Sequence, residues 1–172
     1  MAAILVIEDE EDIRFNISEL LALTKHYVFT ASNGKEGIEL AQRLLPDLII
    51  CDIIMPFMDG FGVLQVLKSE PPTRVIPFIF LTSKSESSNC QLAMNLGAND
   101  YIVKPFEWAE LLTAVNLRLR KAAKEKELQY VDKPMLDKSL HNVKKAKGPL
   151  KSLAIFDLYT YLVSLGMKSL LT

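Results

Sequence analysis

The sequence predicts an α/β fold, a doubly wound parallel sheet of five strands. Two observations carry the prediction. Five short apolar runs alternate with stretches of helical spacing over about 125 residues, joined by short loops. The runs are apolar on both faces and do not alternate with polar residues, as expected of strands covered by helices on both sides.

The elements follow in order. Ala3-Ile4-Leu5-Val6-Ile7 is the first run. Ile13, Ile17, Leu20, Leu21 and Thr24 then recur three or four apart, the period of a helix with one buried face. Tyr27-Val28-Phe29-Thr30-Ala31 is rich in aromatic and β-branched residues and reads as the second strand. Asn33-Gly34 opens a helix with Ile38, Leu40, Ala41 and Leu44 as apolar positions, and Pro46 stops it. Leu48-Ile49-Ile50-Cys51 is the third run. The loop Met55-Pro56-Phe57-Met58-Asp59-Gly60 leads to a helix with Phe61, Leu64 and Leu67. Val75 to Leu81 reads as the fourth run, and Ser85 to Leu96 as a helix closed by Gly97. Tyr101-Ile102-Val103 is the fifth run; Lys104-Pro105 ends it, and a long helix begins near Glu107.

Composition sets limits. With 49% apolar and 24% charged residues, the chain can build a core and is not a disordered segment. The net charge of −1 conceals an asymmetry: residues 1–117 hold 8 basic and 16 acidic side chains, and residues 118–172 hold 12 basic and 5 acidic. Two cysteines, Cys51 and Cys90, build neither a disulfide framework nor a CxxC metal site, and read as buried thiols in a reducing compartment. No basic flank precedes the first apolar run, and no stretch reaches the roughly 18 apolar residues of a membrane span. A cytoplasmic protein without a membrane partner is expected.

In a parallel sheet of this kind the chemistry sits at the carboxyl ends of the strands. There the sequence places Glu8 and Asp9 after strand one, Asp52 after strand three, Thr82 and Ser83 after strand four, and Lys104 after strand five. Clustered carboxylates need a cation, and hard oxygen donors suit Mg²⁺. An ammonium and a hydroxyl beside them suit a phosphoryl group. A carboxylate can itself be the nucleophile, which makes Asp52, central in the cluster, the candidate for an aspartyl phosphate. Rival chemistries fit worse. There is no GxxxxGK[ST] loop, and Gly60-Phe61-Gly62 is no dinucleotide fingerprint. Asp9-Glu10-Glu11 lacks the Asp-x-Asp of an aspartate-nucleophile phosphatase. The two histidines complete no catalytic set: His26 is expected to face solvent at a helix end, and His141 lies in the tail.

The strings Ile4-Leu5-Val6-Ile7-Glu8-Asp9-Glu10, Pro46-Asp47-Leu48-Ile49-Ile50-Cys51-Asp52-Ile53-Ile54-Met55-Pro56, Asp59-Gly60, Leu81-Thr82-Ser83 and Tyr101-Ile102-Val103-Lys104-Pro105-Phe106 resemble, in order and spacing, the receiver domain of two-component response regulators. The resemblance covers residues 1 to about 124. It implies a flavodoxin-like strand order 2-1-3-4-5 and phosphoryl transfer to Asp52 from a histidine kinase or phosphotransfer protein. It further implies Mg²⁺ held by Asp9 directly, by Glu8 through water, by Asp52 and by the backbone carbonyl of Ile54. Lys104 would pair with Asp52 or its phosphoryl group, Thr82 would move to bond that group, and Tyr101 would swing inward with it. Two departures stand out: Glu8 where many members have Asp, keeping the charge on a longer arm, and Ser83 in place of a small apolar residue, putting a hydroxyl beside the phosphoryl site.

Beyond the receiver, Trp108, Leu111, Leu112, Val115, Leu119 and Ala122 continue a helical stripe towards Tyr130, which Asp132-Lys133-Pro134 is expected to break. Residues 125–150 read as a basic linker, with one short helix at most over 131–150, and a solvated connector is favoured there over nucleic-acid binding. Residues 151–172 hold an apolar helix over Ser152 to Leu165, ended by Gly166. Such a helix needs a partner surface: the receiver, a second copy (a homodimer through the long helix and tail), or a domain begun near residue 150. Together these features are expected to make a phosphoacceptor switch of protein–protein contacts. Its alternative is the N-terminal part of a larger regulator with a DNA-binding or catalytic output domain.

Overall fold

The computed structural model describes residues 1–83, 94–145, 147, 154, 155 and 157. Two compact units are present, Met1–Ala123 and Lys124–Thr172. The first contains β1 (Ala3–Ile7), α1 (Glu11–Leu23), β2 (Tyr27–Ala31), α2 (Gly34–Leu44), β3 (Leu48–Asp52), α3 (Gly60–Ser69), β4 (Phe78–Ser83), β5 (Asp100–Lys104) and the start of α4 (Trp108–Lys145). The sheet is parallel throughout, in the order β2-β1-β3-β4-β5.

The two-residue period of the strands divides the core into two layers. Leu5 and Ile7, Ile49 and Cys51, and Phe78 and Phe80 pack on one side with Val63, Leu64 and Leu67 of α3. Ile4 and Val6, Leu48 and Ile50, and Ile79 and Leu81 pack on the other with Ile17 and Leu21 of α1 and Leu111 and Val115 of α4. Removing one such fully buried side chain from water stabilises the fold by about 1.5–3 kcal/mol. The layers therefore fix the register, since a shift of one residue would exchange them. β2 lies at the sheet edge, so Tyr27 and Phe29 stay exposed despite the apolar run.

Helix boundaries follow local chemistry. Asn33 caps α2 by accepting a hydrogen bond from the Glu36 amide, and Asp59 caps α3 by accepting one from the Gly62 amide. Gly97 takes φ +97° and donates its amide to the Met94 carbonyl, the left-handed turn expected after a helix. The remainder of the helix expected over Ser85 to Leu96, with Cys90, lies outside the described residues.

Three expectations are corrected. The fourth strand begins at Phe78, not Val75, which is exposed in a turn. Pro77 has no amide to give the ladder, and the Thr73 hydroxyl, bonded to the Leu67 carbonyl, holds the preceding segment as a turn. His26 does not face solvent: it is half-buried with Nδ1 inside, because Lys25 adopts a positive φ of 65° and folds His26 back so that its amide bonds the Leu21 carbonyl. The helix also runs through Asp132-Lys133-Pro134 to Lys145. An interior proline costs a helix about 3 kcal/mol, and the surrounding Ala, Lys, Glu and Leu residues are strong helix formers that offset it.

In the second unit, the described residues 124–145 are helical, as are Ala154, Ile155 and Asp157. The rest of the apolar stretch 152–165 and Gly166 lie outside the described residues. No described helix is long and apolar enough to cross a membrane.

Candidate functional site at the carboxyl edge of the sheet

Parallel pairing places the ends of β1, β3, β4 and β5 side by side on one edge. Glu8 directly follows β1, and Asp52 and Lys104 are the last residues of β3 and β5. Glu8 is 0% exposed and Asp52 6%. Lys104 Nζ lies 2.8 Å from Glu8 Oε2 and 3.1 Å from Asp52 Oδ1. One carboxylate oxygen from each of Glu8, Asp9 and Asp52 lies within 4.8 Å of the others.

The electrostatics follow from that crowding. Burial pushes the Glu8 carboxyl up to about 7; the Lys104 contact opposes the shift and the Asp52 charge adds to it. Burial likewise raises Asp52, against the pull of Lys104. For Lys104, burial alone would lower the ammonium, but Glu8 and Asp52 outweigh it and the net direction is up. Two buried acids share one cation, so the ammonium stays protonated while the Glu8 and Asp52 carboxyls resist ionising together.

The donor set fits a hard divalent cation. It offers three carboxylates within reach of one another. Glu8 Oε2 is buried 2.8 Å from the Lys104 ammonium, and a carboxylate oxygen that accepts from one cation still has a lone pair for a metal or a metal-bound water.

The surrounding loops hold this edge in place. The Ile53 amide bonds the Leu81 carbonyl, and the Gly60 amide bonds the Ile53 carbonyl at 2.8 Å. A side chain at Gly60 would run into the Asp52 carbonyl and the Phe80 ring, so α3 can begin this close to Asp52 only with glycine there. Ile54, exposed, follows in the same loop.

Thr82 and Ser83 end β4, with Ser83 registered opposite Lys104. Thr82 is buried, and its hydroxyl donates to the Ser83 carbonyl at 3.2 Å, not to Asp52. Tyr101 is 40% exposed and lines an open groove between β5 and α4 with Thr113 and Leu117. Glu8, Asp9, Asp52 and Lys104 are thus brought together, whereas Thr82 and Tyr101 stand beside the cluster without contacting Asp52 through any described hydrogen bond.

Sequence reasoning missed Arg14. Its Nη1 donates to the carbonyls of Glu8 at 2.6 Å and Asp9 at 3.1 Å. The only signal was a cation two residues beyond the acidic run Glu8 to Asp12.

A five-stranded parallel sheet in this order, with an acidic cluster and one lysine at its carboxyl edge, is the arrangement of a receiver domain. The chain belongs to the response regulator receiver domain family, whose model matches residues 4–116. It is 36% identical over 121 residues to "Probable transcriptional regulator ycf27" of Guillardia theta, covering 70% of this chain and 46% of that protein. It is 33% identical over 116 residues to "Protein PilH" of Pseudomonas aeruginosa, covering 67% of this chain and 96% of that protein. Among solved structures, a putative response regulator from Chloroflexus aurantiacus superposes with a TM-score of 0.66 at 29% identity, covering 69% of this chain and 98% of that one. The chemotaxis protein CheY4 of Vibrio cholerae superposes with a TM-score of 0.64 at 31% identity, covering 67% and 97%. The chain spans about half the length of the ycf27 relatives it matches.

Proposed function

We propose that the protein is a phosphoacceptor in two-component signalling, with Asp52 receiving the phosphoryl group from a phosphohistidine of a histidine kinase or phosphotransfer protein in the cytoplasm. The observation that carries the reading is the Lys104 ammonium held between Glu8 and Asp52. Mg²⁺, bound by Asp9 and Asp52, by Glu8 through water and by the Ile54 carbonyl, would neutralise charge on the phosphoryl oxygens. An Asp52 carboxylate oxygen attacks phosphorus and forms the new P–O bond. The P–N bond breaks, and the imidazole leaves with the bonding pair, neutral because its other nitrogen carries the proton. Lys104 sits 3.1 Å from Asp52 Oδ1 and is placed to follow the charge onto the phosphoryl group. The added charge of about −1.5 to −2 draws the Thr82 hydroxyl from the Ser83 carbonyl, and Tyr101 moves inward from its groove. Ser83 adds a second hydroxyl at the same strand end.

Residues 1–124 would form the receiver, 125–150 a basic helical linker, and 151–172 an apolar element for docking or for pairing two copies. Nucleic acid is not the expected partner of this chain. A second reading, an output module attached near residue 150, is favoured by the relatives named transcriptional regulator, whose matched part is about half of each.

The test is incubation with a small phosphodonor such as acetyl phosphate, read by intact mass. One phosphoryl group per chain is expected with Mg²⁺, and none with EDTA or in Asp52→Asn. Labelling that survives in Asp52→Asn would overturn the assignment.

A further inference from the structure

We propose that Arg14 is a positioning residue for the cation site: its guanidinium straps the backbone carbonyls of Glu8 and Asp9 so that both carboxylates stand ready for a divalent cation. The proposal rests on the reading of Glu8, Asp9 and Asp52 as the metal-holding set.

The chain must turn sharply here. The Glu8 amide still bonds the Ala31 carbonyl, and α1 begins three residues later at Glu11. Between them the carbonyls of Glu8 and Asp9 face away from the ladder, and a buried or half-buried carbonyl needs a donor. Arg14 Nη1 supplies both bonds, at 2.6 Å and 3.1 Å. Arg14 is itself fixed in the first turns of α1, its amide donating to the Glu10 carbonyl at 2.9 Å. The N-cap residue Glu10 makes no side-chain capping bond, so no cap of the usual kind orders this loop. The Arg14 charge also acts, weakly, on Glu36 of α2. The Glu36 carboxylate is held low, chiefly by hydrogen bonds from the Ser32 amide and hydroxyl, with the Arg14 charge adding a smaller share.

Charge and geometry make opposite predictions, which makes the test decisive. As a nearby positive charge, Arg14 repels a metal ion, so neutralising it should tighten binding. As a strap, it preorders two ligands, so removing it should weaken binding. Partners that orient metal ligands typically contribute about tenfold to a hundredfold in affinity.

The experiment is isothermal titration of Mg²⁺ into the full chain and into Arg14→Gln and Arg14→Lys, with thermal melting of each metal-free protein. At least tenfold weaker Mg²⁺ binding is expected for Arg14→Gln. Arg14→Lys keeps the charge but not the planar donor geometry, so it should also bind more weakly than the parent. Equal or tighter binding in Arg14→Gln would overturn the proposal while leaving the site reading intact. If Arg14→Gln does not fold, parent-like affinity in Arg14→Lys would overturn it. Failure of the unmodified chain to bind Mg²⁺ would instead overturn the reading of the site on which the strap depends.

Discussion

Lys104 reaches from the end of β5 to the end of β1, placing Nζ 2.8 Å from Glu8 Oε2 and passing Asp52 at 3.1 Å. One side chain thereby ties together strands separated by β3 and β4. Its partners are buried, so the contact is screened far less than a surface ion pair.

Replacing Lys104 with Met should expose that dependence. Without the ammonium, Glu8 and Asp52 face each other uncompensated, and the metal-free protein should lose about 3 kcal/mol. Because a positive competitor is gone, Mg²⁺ should bind more tightly and restore much of the loss. Thermal melts with and without Mg²⁺ check both effects; a variant that neither loses stability nor gains from Mg²⁺ would contradict the role given to Lys104.

The raised Glu8 carboxyl predicts a pH dependence. Its folded value, about 7, lies above the ordinary glutamate value of 4.5, so the folded state binds the proton more tightly. Stability linked to Glu8 is therefore full below about pH 4.5 and is lost as pH rises to about 7. At most about 3 kcal/mol is at stake. Denaturant unfolding of metal-free protein across this range should show the decline, and Glu8→Gln should flatten it. Mg²⁺ favours the ionised carboxylate and should flatten it as well.

Gly60→Ala should damage the site from behind. The new methyl would meet the Asp52 carbonyl and the Phe80 ring, and overpacking of this kind costs about 1–3 kcal/mol. The shift falls on the backbone of Asp52, so phosphoryl transfer from acetyl phosphate should slow as well. Gly62→Ala is the control: its methyl would meet nothing closer than 3.4 Å, so a similar loss there would remove the explanation.

The parts of this architecture legible in the sequence are those set by period and position. Ile4 to Ile7 and Leu48 to Cys51 had to be buried strands, and parallel pairing then made Glu8, Asp52 and Lys104 neighbours. Features that depend on individual hydrogen bonds or on one backbone angle were not legible. The Arg14 strap is formed by two carbonyls that leave no trace in residue type. The start of β4 turns on Pro77 and on the Asn99 side chain, which accepts from the Phe78 amide 21 residues away. His26 turns inward because of one left-handed residue, Lys25. The continuity of α4 through Pro134 is a balance between one lost bond and many favourable propensities, which a proline signal alone misjudges.

The central claim is that Asp52 takes the phosphoryl group. Its most direct test is to phosphorylate the protein with Mg²⁺ and acetyl phosphate, reduce the acyl phosphate with borohydride, and map the product by peptide mass spectrometry. The account predicts homoserine at position 52. Reduction at Asp9 or Asp59, or no reduced residue in a protein that has gained phosphate, would contradict it.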